Sequence, residues 1–226
     1  MIDGTPAGVE RVVLVHGLWN SPWWLWPLAR RLRGHGFQVE GFGYPSILGG
    51  PGPAVAALVA RLRDGPPCHL VGHSLGGLLA LEALRAEPGL PVRRVVCLGS
   101  PLCGSATARM LSAHRSLSWA LGRSAPLLLC GCQPWEGPAE LGVIAGDRPR
   151  GAGRLLAAVG RDSDGTVALA ETRLPGAKAH CQVPASHTGL VLSAAAARQA
   201  ASFLRSGAFA VPGPEAPTAG QGEARL

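Results

Sequence analysis

The segment Gly72-His73-Ser74-Leu75-Gly76 places one serine between two glycines, directly after an apolar run. A sharp turn from a strand into a helix can present a serine hydroxyl as a nucleophile. Side chains at the two glycine positions would collide with neighbouring backbone. The helix that follows begins beside the serine, where its dipole favours negative charge. The pattern predicts a nucleophile at Ser74; the alternative is a glycine-rich turn with an incidental serine.

A serine hydroxyl is a weak nucleophile near neutral pH, so it needs a histidine to accept its proton and a carboxylate to hold that imidazole. Three histidines follow Ser74: His114, His180 and His187. His114 lies in a long insertion and His180 opens an apolar run. His187 lies in a small-residue loop between the last predicted strand and the last predicted helix, which makes it the predicted base.

The carboxylate is expected between the serine and the histidine along the chain. The glutamates in this interval are set aside because they lie on the helix after the serine, in the insertion, or at a solvated position. Asp147, Asp162 and Asp164 remain as candidates. The Asp164-Gly165 turn is expected to present its carboxylate outward. The alternative for each aspartate is a turn-forming side chain that binds its own backbone.

An anion-binding site is predicted where His16-Gly17-Leu18-Trp19 follows the first apolar run. The tetrahedral anion formed by an attacking serine is stabilised by two backbone N–H groups, one from such a loop and one from the residue after the nucleophile. These donors are predicted to be Leu18 and Leu75, and Gly17 lets the loop approach the substrate. The alternative is a strand that simply ends in a tight turn.

Short apolar runs alternate with longer helix-like segments, which predicts a parallel sheet with crossover helices. The predicted strands are Arg11–His16, Phe37–Phe42, Cys68–Gly72, Arg93–Leu98, Leu141–Ala145 and Ala179–Val183, and the predicted helices are Trp23–Arg33, Pro53–Arg63, Leu75–Glu87 and Leu192–Leu204. One domain is expected over residues 1–206, with a cap or lid insertion at about 104–138. The Pro- and Gly-rich tail, 207–226, is expected to be disordered.

These motifs resemble the lipase and esterase branch of the α/β-hydrolase superfamily over about residues 11–206. The resemblance rests on His-Gly-Leu at 16–18, Gly-His-Ser-Leu-Gly-Gly at 72–77, Gly-Ser-Pro at 99–101, Asp-Gly-Thr-Val at 164–167 and Ser-His-Thr-Gly at 186–189. It implies an α/β class fold of the α/β-hydrolase type: a minimal, mostly parallel sheet flanked by helices, with a small cap-like insertion. Because the Asp-Gly loop is similar to the one that carries the acid in bacterial triacylglycerol lipases, the resemblance favours Asp164.

The function implied by the resemblance is hydrolysis of carboxylic esters through an acyl-enzyme, with no cofactor or metal. The same triad serves thioesterases, acyltransferases and amidases, and a non-catalytic binding protein could retain the fold. Four tryptophans cluster at Trp19, Trp23, Trp24 and Trp26. Trp19 and Trp23 are predicted to bind substrate by lining an acyl pocket or touching an interface; the alternative places Trp23 and Trp26 in the core at helical spacing.

The formal charge of +7 comes from scattered arginines without a long basic run or a nucleic-acid-binding motif. A small-molecule or lipid ester is the expected partner, with no nucleic acid and only weak attraction to anionic lipid surfaces. Residues 1–10 lack the pattern of a signal peptide, and the chain lacks an apolar stretch long enough for a membrane span. A cytoplasmic location with reduced cysteines is therefore expected.

Overall fold

The fold centres on a six-stranded parallel sheet in the computed structural model, which describes residues 10–150 and 159–211. The spatial order of the strands is β2-β1-β3-β4-β5-β6, so the chain starts near the middle and reaches both edges. The strands are β1 (Arg11–Val15), β2 (Gln38–Phe42), β3 (Cys68–His73), β4 (Val92–Leu98), β5 (Glu140–Gly146) and β6 (Ala179–Val183). All the predicted strands are present, with ends that differ by at most one residue.

Parallel strands are favoured here because helices cover both faces of the sheet. The helices are α1 (Trp26–Gly34), α2 (Pro51–Arg63), α3 (Leu75–Ala86), α4 (Ala106–Ala113), α5 (Ala125–Cys130), α6 (Gly189–Leu192) and α7 (Ala194–Ser206). Strand β1 illustrates the two layers: Val13 and Val15 pack in the cluster that contains α2 and α3. Val12 and Leu14 pack in the cluster on the other face, with α1 and α7.

Two predicted helices differ from those in the structure. The segment predicted as Trp23–Arg33 begins as a 3-10 turn, Pro22–Leu25, and becomes α-helical only in α1. The segment predicted as Leu192–Leu204 is divided at Ser193, whose backbone is extended and whose hydroxyl accepts a hydrogen bond from the N–H of Ala196. That N-cap starts a new helix, which a continuous alanine-rich pattern does not reveal.

The segment between β4 and β5 holds α4, a 3-10 helix (Ser118–Ser124) and α5, so the predicted insertion at 104–138 is largely helical. Of the predicted tail, Gly207 ends α7 in the left-handed conformation (φ 74°) and residues 212–226 lie outside the described part of the chain. Among the described residues, no helix combines the length and apolar character needed to cross a lipid bilayer.

Candidate active site

Ser74 lies in the turn between β3 and α3, with a backbone conformation that side chains rarely adopt (φ 55°, ψ −125°). Its N–H donates a hydrogen bond to the carbonyl of Leu98, at 3.0 Å, which fixes the turn against the end of β4. A strained non-glycine residue persists only where the surroundings hold it, and such residues concentrate at functional sites. Ser74 is partly exposed, whereas its neighbours His73 and Leu75 are buried.

The glycines around Ser74 allow α3 to pack against two strands. A Cβ at Gly72 would lie 2.4 Å from the nitrogen of Gly77, and a Cβ at Gly76 would lie 2.1 Å from the carbonyl oxygen of Val15. Both distances are too short for any side chain. The collisions predicted for side chains at these two glycine positions would therefore occur in the structure.

Asp164 and His187 form a direct hydrogen-bonded pair. Oδ2 of Asp164 lies 2.7 Å from Nδ1 of His187, and the backbone N–H of His187 donates to the carbonyl of Asp164 at 2.9 Å. The side chain of Asp164 is 2% exposed and that of His187 is 13% exposed. The pair is thus shielded from water on the acid side and open on the imidazole side.

The expectation that the Asp164 carboxylate faces outward is wrong. While Oδ2 faces His187, Oδ1 accepts hydrogen bonds from the N–H groups of Thr166 and Val167, at 2.9 and 2.8 Å. Asp164 therefore fits both interpretations of the sequence. Its side chain stabilises its own turn, and it also binds His187. The two backbone donors turn the carboxylate inward and leave one oxygen for the imidazole.

His187 lies beside the strand ends that hold Ser74. A Cβ at Gly99 would lie 3.3 Å from Nδ1 of His187 and 3.2 Å from Oδ2 of Asp164. Gly99 directly follows Leu98, whose carbonyl binds the N–H of Ser74. His73, next to Ser74, has its ring centroid 4.9 Å from that of His187. The structure therefore gathers the three predicted residues at one edge of the sheet.

The competing candidates lie elsewhere. Asp162 is exposed, and Asp147 is exposed with the Nε of Arg148 at 3.6 Å. His114 is exposed in the insertion. Nε2 of His180 lies 2.8 Å from the hydroxyl of Thr172.

The predicted anion-binding loop passes directly beside Ser74, since a Cβ at Gly17 would lie 3.0 Å from the Cβ of Ser74. Leu18 follows in this loop. Leu75 is the first residue of α3, and N–H groups in the first turn of a helix have no intrahelical acceptor. The Leu75 N–H is thereby available to an anion at the hydroxyl of Ser74.

Sequence reasoning missed Tyr44, which holds this loop by contacts with His16. The hydroxyl of Tyr44 donates to the carbonyl of His16 at 2.7 Å, and the two rings are stacked with centroids 4.3 Å apart. Burial lowers the pKa of His16, so the ring stays neutral in this stack. The sequence offers one signal for this role, which is that Tyr44 is the single tyrosine of the chain.

His73 supports His187 from below. Its Nε2 lies 3.1 Å from the backbone carbonyl of His187, which requires a proton on Nε2. Burial, together with the positive charge that His187 can carry, lowers the pKa of His73 to about 3. His73 therefore stays neutral and donates one hydrogen bond to the loop that bears the imidazole.

Trp19 links the anion-binding loop to the insertion. Its backbone has positive φ (59°), its Nε1 donates to the carbonyl of Ala120 at 2.7 Å, and its ring meets that of Trp119 edge to face at 5.5 Å. The hydrogen bond joins positions that are 101 residues apart in the chain. The substrate role of Trp19 stays a prediction.

The alternative that placed Trp23 and Trp26 in the core is wrong, because they are 83% and 49% exposed. Leu25, Leu28 and Leu32 fill the core instead. Both tryptophans line a cavity of about 190 Å³ whose other walls are Leu14, Pro22, Ala29, Arg33 and Gly41. The cavity lies between β1, β2 and α1, and a substrate role for Trp23 stays a prediction.

The strained serine between buried glycines, at the carboxyl edge of a parallel sheet and near an Asp-His pair, can be compared with known families. The alpha/beta hydrolase family model matches residues 12–221. The chain belongs to the alpha/beta hydrolase family. The predicted fold class and the family resemblance are thereby confirmed.

Solved alpha/beta hydrolase structures share this architecture at low sequence identity. The mature lipase BlEst2 of Bacillus licheniformis superposes with a TM-score of 0.73 and 21% identity, covering 91% of this chain and 94% of that one. A metagenomic carboxyl esterase superposes with a TM-score of 0.59 and 20% identity, covering 81% of this chain and 66% of that one. The carboxylesterase CesB of Bacillus subtilis superposes with a TM-score of 0.54 and 15% identity, covering 90% of this chain and 86% of that one. At these identities the likeness establishes the fold.

Proposed function

We propose that this alpha/beta hydrolase is a serine hydrolase that cleaves carboxylic esters through an acyl-enzyme. The observation that carries the proposal is the Asp164–His187 hydrogen bond beside the strained Ser74 turn. A buried carboxylate on Nδ1 leaves the other imidazole nitrogen as a proton acceptor, which a serine nucleophile requires. The esterase and lipase names of the structural neighbours support the ester as the substrate class.

In the proposed reaction the Ser74 hydroxyl attacks the ester carbonyl and its proton passes to Nε2 of His187. Asp164 holds the imidazole in the required tautomer and stabilises the imidazolium. The N–H groups of Leu18 and Leu75 stabilise the tetrahedral oxyanion. Collapse expels the alcohol, which takes the proton from His187. Water, activated by the same histidine, then attacks the acyl-enzyme and releases the carboxylic acid.

A fluorophosphonate probe tests the nucleophile directly. We expect one labelled site, Ser74, in the folded wild-type protein, and no labelling of Ser74→Ala. The matched control is Ser206→Ala, at the exposed end of α7, which should label like the wild type. A folded wild-type protein that resists the probe, or one labelled at another serine, would contradict the mechanism.

Rates with p-nitrophenyl acetate, butyrate and octanoate test the substrate class. The exposed tryptophans near the site favour an apolar acyl group, so kcat/KM should rise from acetate to octanoate. Matched thioesters and anilides of the preferred acyl group separate ester cleavage from thioesterase or amidase activity. A kcat/KM that is higher for the thioester or the anilide would replace the ester proposal.

A further inference from the structure

An exposed apolar surface borders the edge of the sheet that carries Ser74. We call it the tryptophan face; it contains five of the six tryptophans of the chain and one leucine: Trp19, Trp23, Trp24, Trp26, Leu48 and Trp119. Single exposed apolar residues are normal on a soluble protein, whereas clustered ones mark contact surfaces. The sixth tryptophan, Trp135, is buried.

Three chain segments form the tryptophan face and are joined by hydrogen bonds. Nε1 of Trp19 donates to the carbonyl of Ala120, next to Trp119, at 2.7 Å. The N–H of Arg123 donates to the carbonyl of Ile47, next to Leu48, at 3.0 Å. The loops after β1 and β2 are therefore both held against the 3-10 helix of the insertion.

One end of the tryptophan face lies next to the proposed nucleophile. Gly17, two residues before Trp19, lies against the Cβ of Ser74. Trp23 and Trp26 line the cavity of about 190 Å³. A surface bound by the loop of Trp19 would therefore lie close to Ser74.

The charge around the tryptophan face has one sign. Residues 18–39 and 114–130 contain five arginines and no acidic residue. All five side chains are exposed, and in the described part of the chain none has an acidic oxygen within 4 Å. The guanidinium of Arg30 lies 5.7 Å from the ring of Trp26, so cation and aromatic ring are presented together. The five are Arg30, Arg31, Arg33, Arg115 and Arg123.

We propose that the tryptophan face docks the protein on anionic phospholipid bilayers. Indole rings favour the headgroup level because one edge is apolar and the N–H is polar. The arginines would meet lipid phosphates there. A second copy of the chain fits less well, because self-pairing would bring arginines against arginines. The inference deepens the proposed function by naming where its substrate resides.

Vesicle binding of the Ser74→Ala protein tests docking without turnover. We expect flotation with vesicles of phosphatidylcholine and phosphatidylglycerol, a blue shift of tryptophan emission, and little flotation with phosphatidylcholine alone. Binding should fall several-fold in 0.5 M NaCl, because salt screens exposed charges. No flotation with the anionic vesicles at low salt would overturn the proposal.

Two matched comparisons locate the binding surface. Replacing both Arg30 and Arg31 by glutamine should reduce binding about thirty-fold. The same change at Arg61 and Arg93, which lie outside the tryptophan face, should leave most of the vesicle binding. Equal losses in the two double variants would show attraction to net charge alone and would overturn the assignment of the face.

The apolar part is tested by Trp23→Ser against Val211→Ser, since both side chains are more than four-fifths exposed. The tryptophan variant should lose roughly five-fold in binding, and the valine variant little.

The oligomeric state without lipid is a separate test, measured as the molecular mass by size-exclusion chromatography. A dimer that Trp23→Ser dissociates would assign the face to a second copy instead. Hydrolysis of soluble p-nitrophenyl esters by the wild-type protein separates this proposal from the proposed function. If the wild type cleaves these esters but the Ser74→Ala protein does not bind the anionic vesicles, only the docking proposal is overturned.

Discussion

The two oxygens of Asp164 have different partners, and that division decides which substitutions are informative. Oδ1 accepts the N–H groups of Thr166 and Val167, and Oδ2 faces Nδ1 of His187. An asparagine can retain its oxygen on the two backbone donors only by turning its NH₂ group toward His187. Nδ1 would then be an acceptor, and the proton would move to the nitrogen that must receive the serine proton.

We therefore expect Asp164→Asn to retain the fold and to lower kcat for p-nitrophenyl esters by about 10³- to 10⁴-fold, with little change in KM. Steady-state kinetics at neutral pH measure this, and the matched control is Asp162→Asn, two residues away and exposed. A wild-type rate in Asp164→Asn, or an equal loss in the control, would remove Asp164 from the mechanism.

The turn between β3 and α3 shows how an element positions a side chain. Gly76 brings the first turn of α3 against the carbonyl of Val15 in β1, which sets the height of Ser74 above the sheet. The strain at Ser74 is tolerated because the buried strand and the buried helix are both held by the core. The conformation of the serine thus depends on packing on either side of the turn.

Gly76→Ala should therefore destabilise the fold by about 1–3 kcal/mol or more, since its Cβ must displace backbone. Urea unfolding followed by circular dichroism measures this. Gly89→Ala is the matched control, because a Cβ there has nothing within 4 Å. We expect a change of at most about 0.5 kcal/mol in the control. Equal stability of the two variants would contradict the steric account of the turn.

Strands were predicted well because buried parallel strands consist of short, almost continuous apolar runs, as in β1 and β3. The same logic placed Ser74, Asp164 and His187 in loops at strand ends. The inward turn of Asp164, the exposure of Trp23 and the Trp19–Ala120 bond could not be predicted. They depend on contacts between distant segments, and local pattern carries no information about these.

At the scale of the whole molecule, some arginines join neighbouring strands through ion pairs and others are exposed without an acidic partner among the described residues. Ion pairs join Arg11 to Glu40 in β1 and β2, and Arg94 to Glu140 in β4 and β5. The arginines around the tryptophan face lack such partners in the described chain.

Buried neutral histidines make stability depend on pH. The pKa of His73 is lowered to about 3 by burial, so between this value and the ordinary value of about 6.5 the unfolded chain binds more protons than the folded one. The contribution to stability is complete above about pH 6.5 and is lost as pH falls toward 3. Each such group adds up to about 1.4 kcal/mol per pH unit to the slope.

His73→Gln should therefore flatten the decline in unfolding free energy between pH 6 and pH 4, while His16, His69 and His180, whose pKa values burial also lowers, keep part of it. Urea unfolding at several pH values measures the slopes. The control is His114→Gln, an exposed histidine. An unchanged slope in His73→Gln would show that His73 does not titrate with unfolding.

The hydrogen bond from Trp19 to the carbonyl of Ala120 couples the loop at Leu18 to the 3-10 helix of the insertion. An engineer who grafts the insertion of another alpha/beta hydrolase onto this scaffold must keep a backbone carbonyl at the position of Ala120, or Trp19 loses its acceptor. Residues 18–24 and 114–124 should therefore be exchanged as a unit in such a graft.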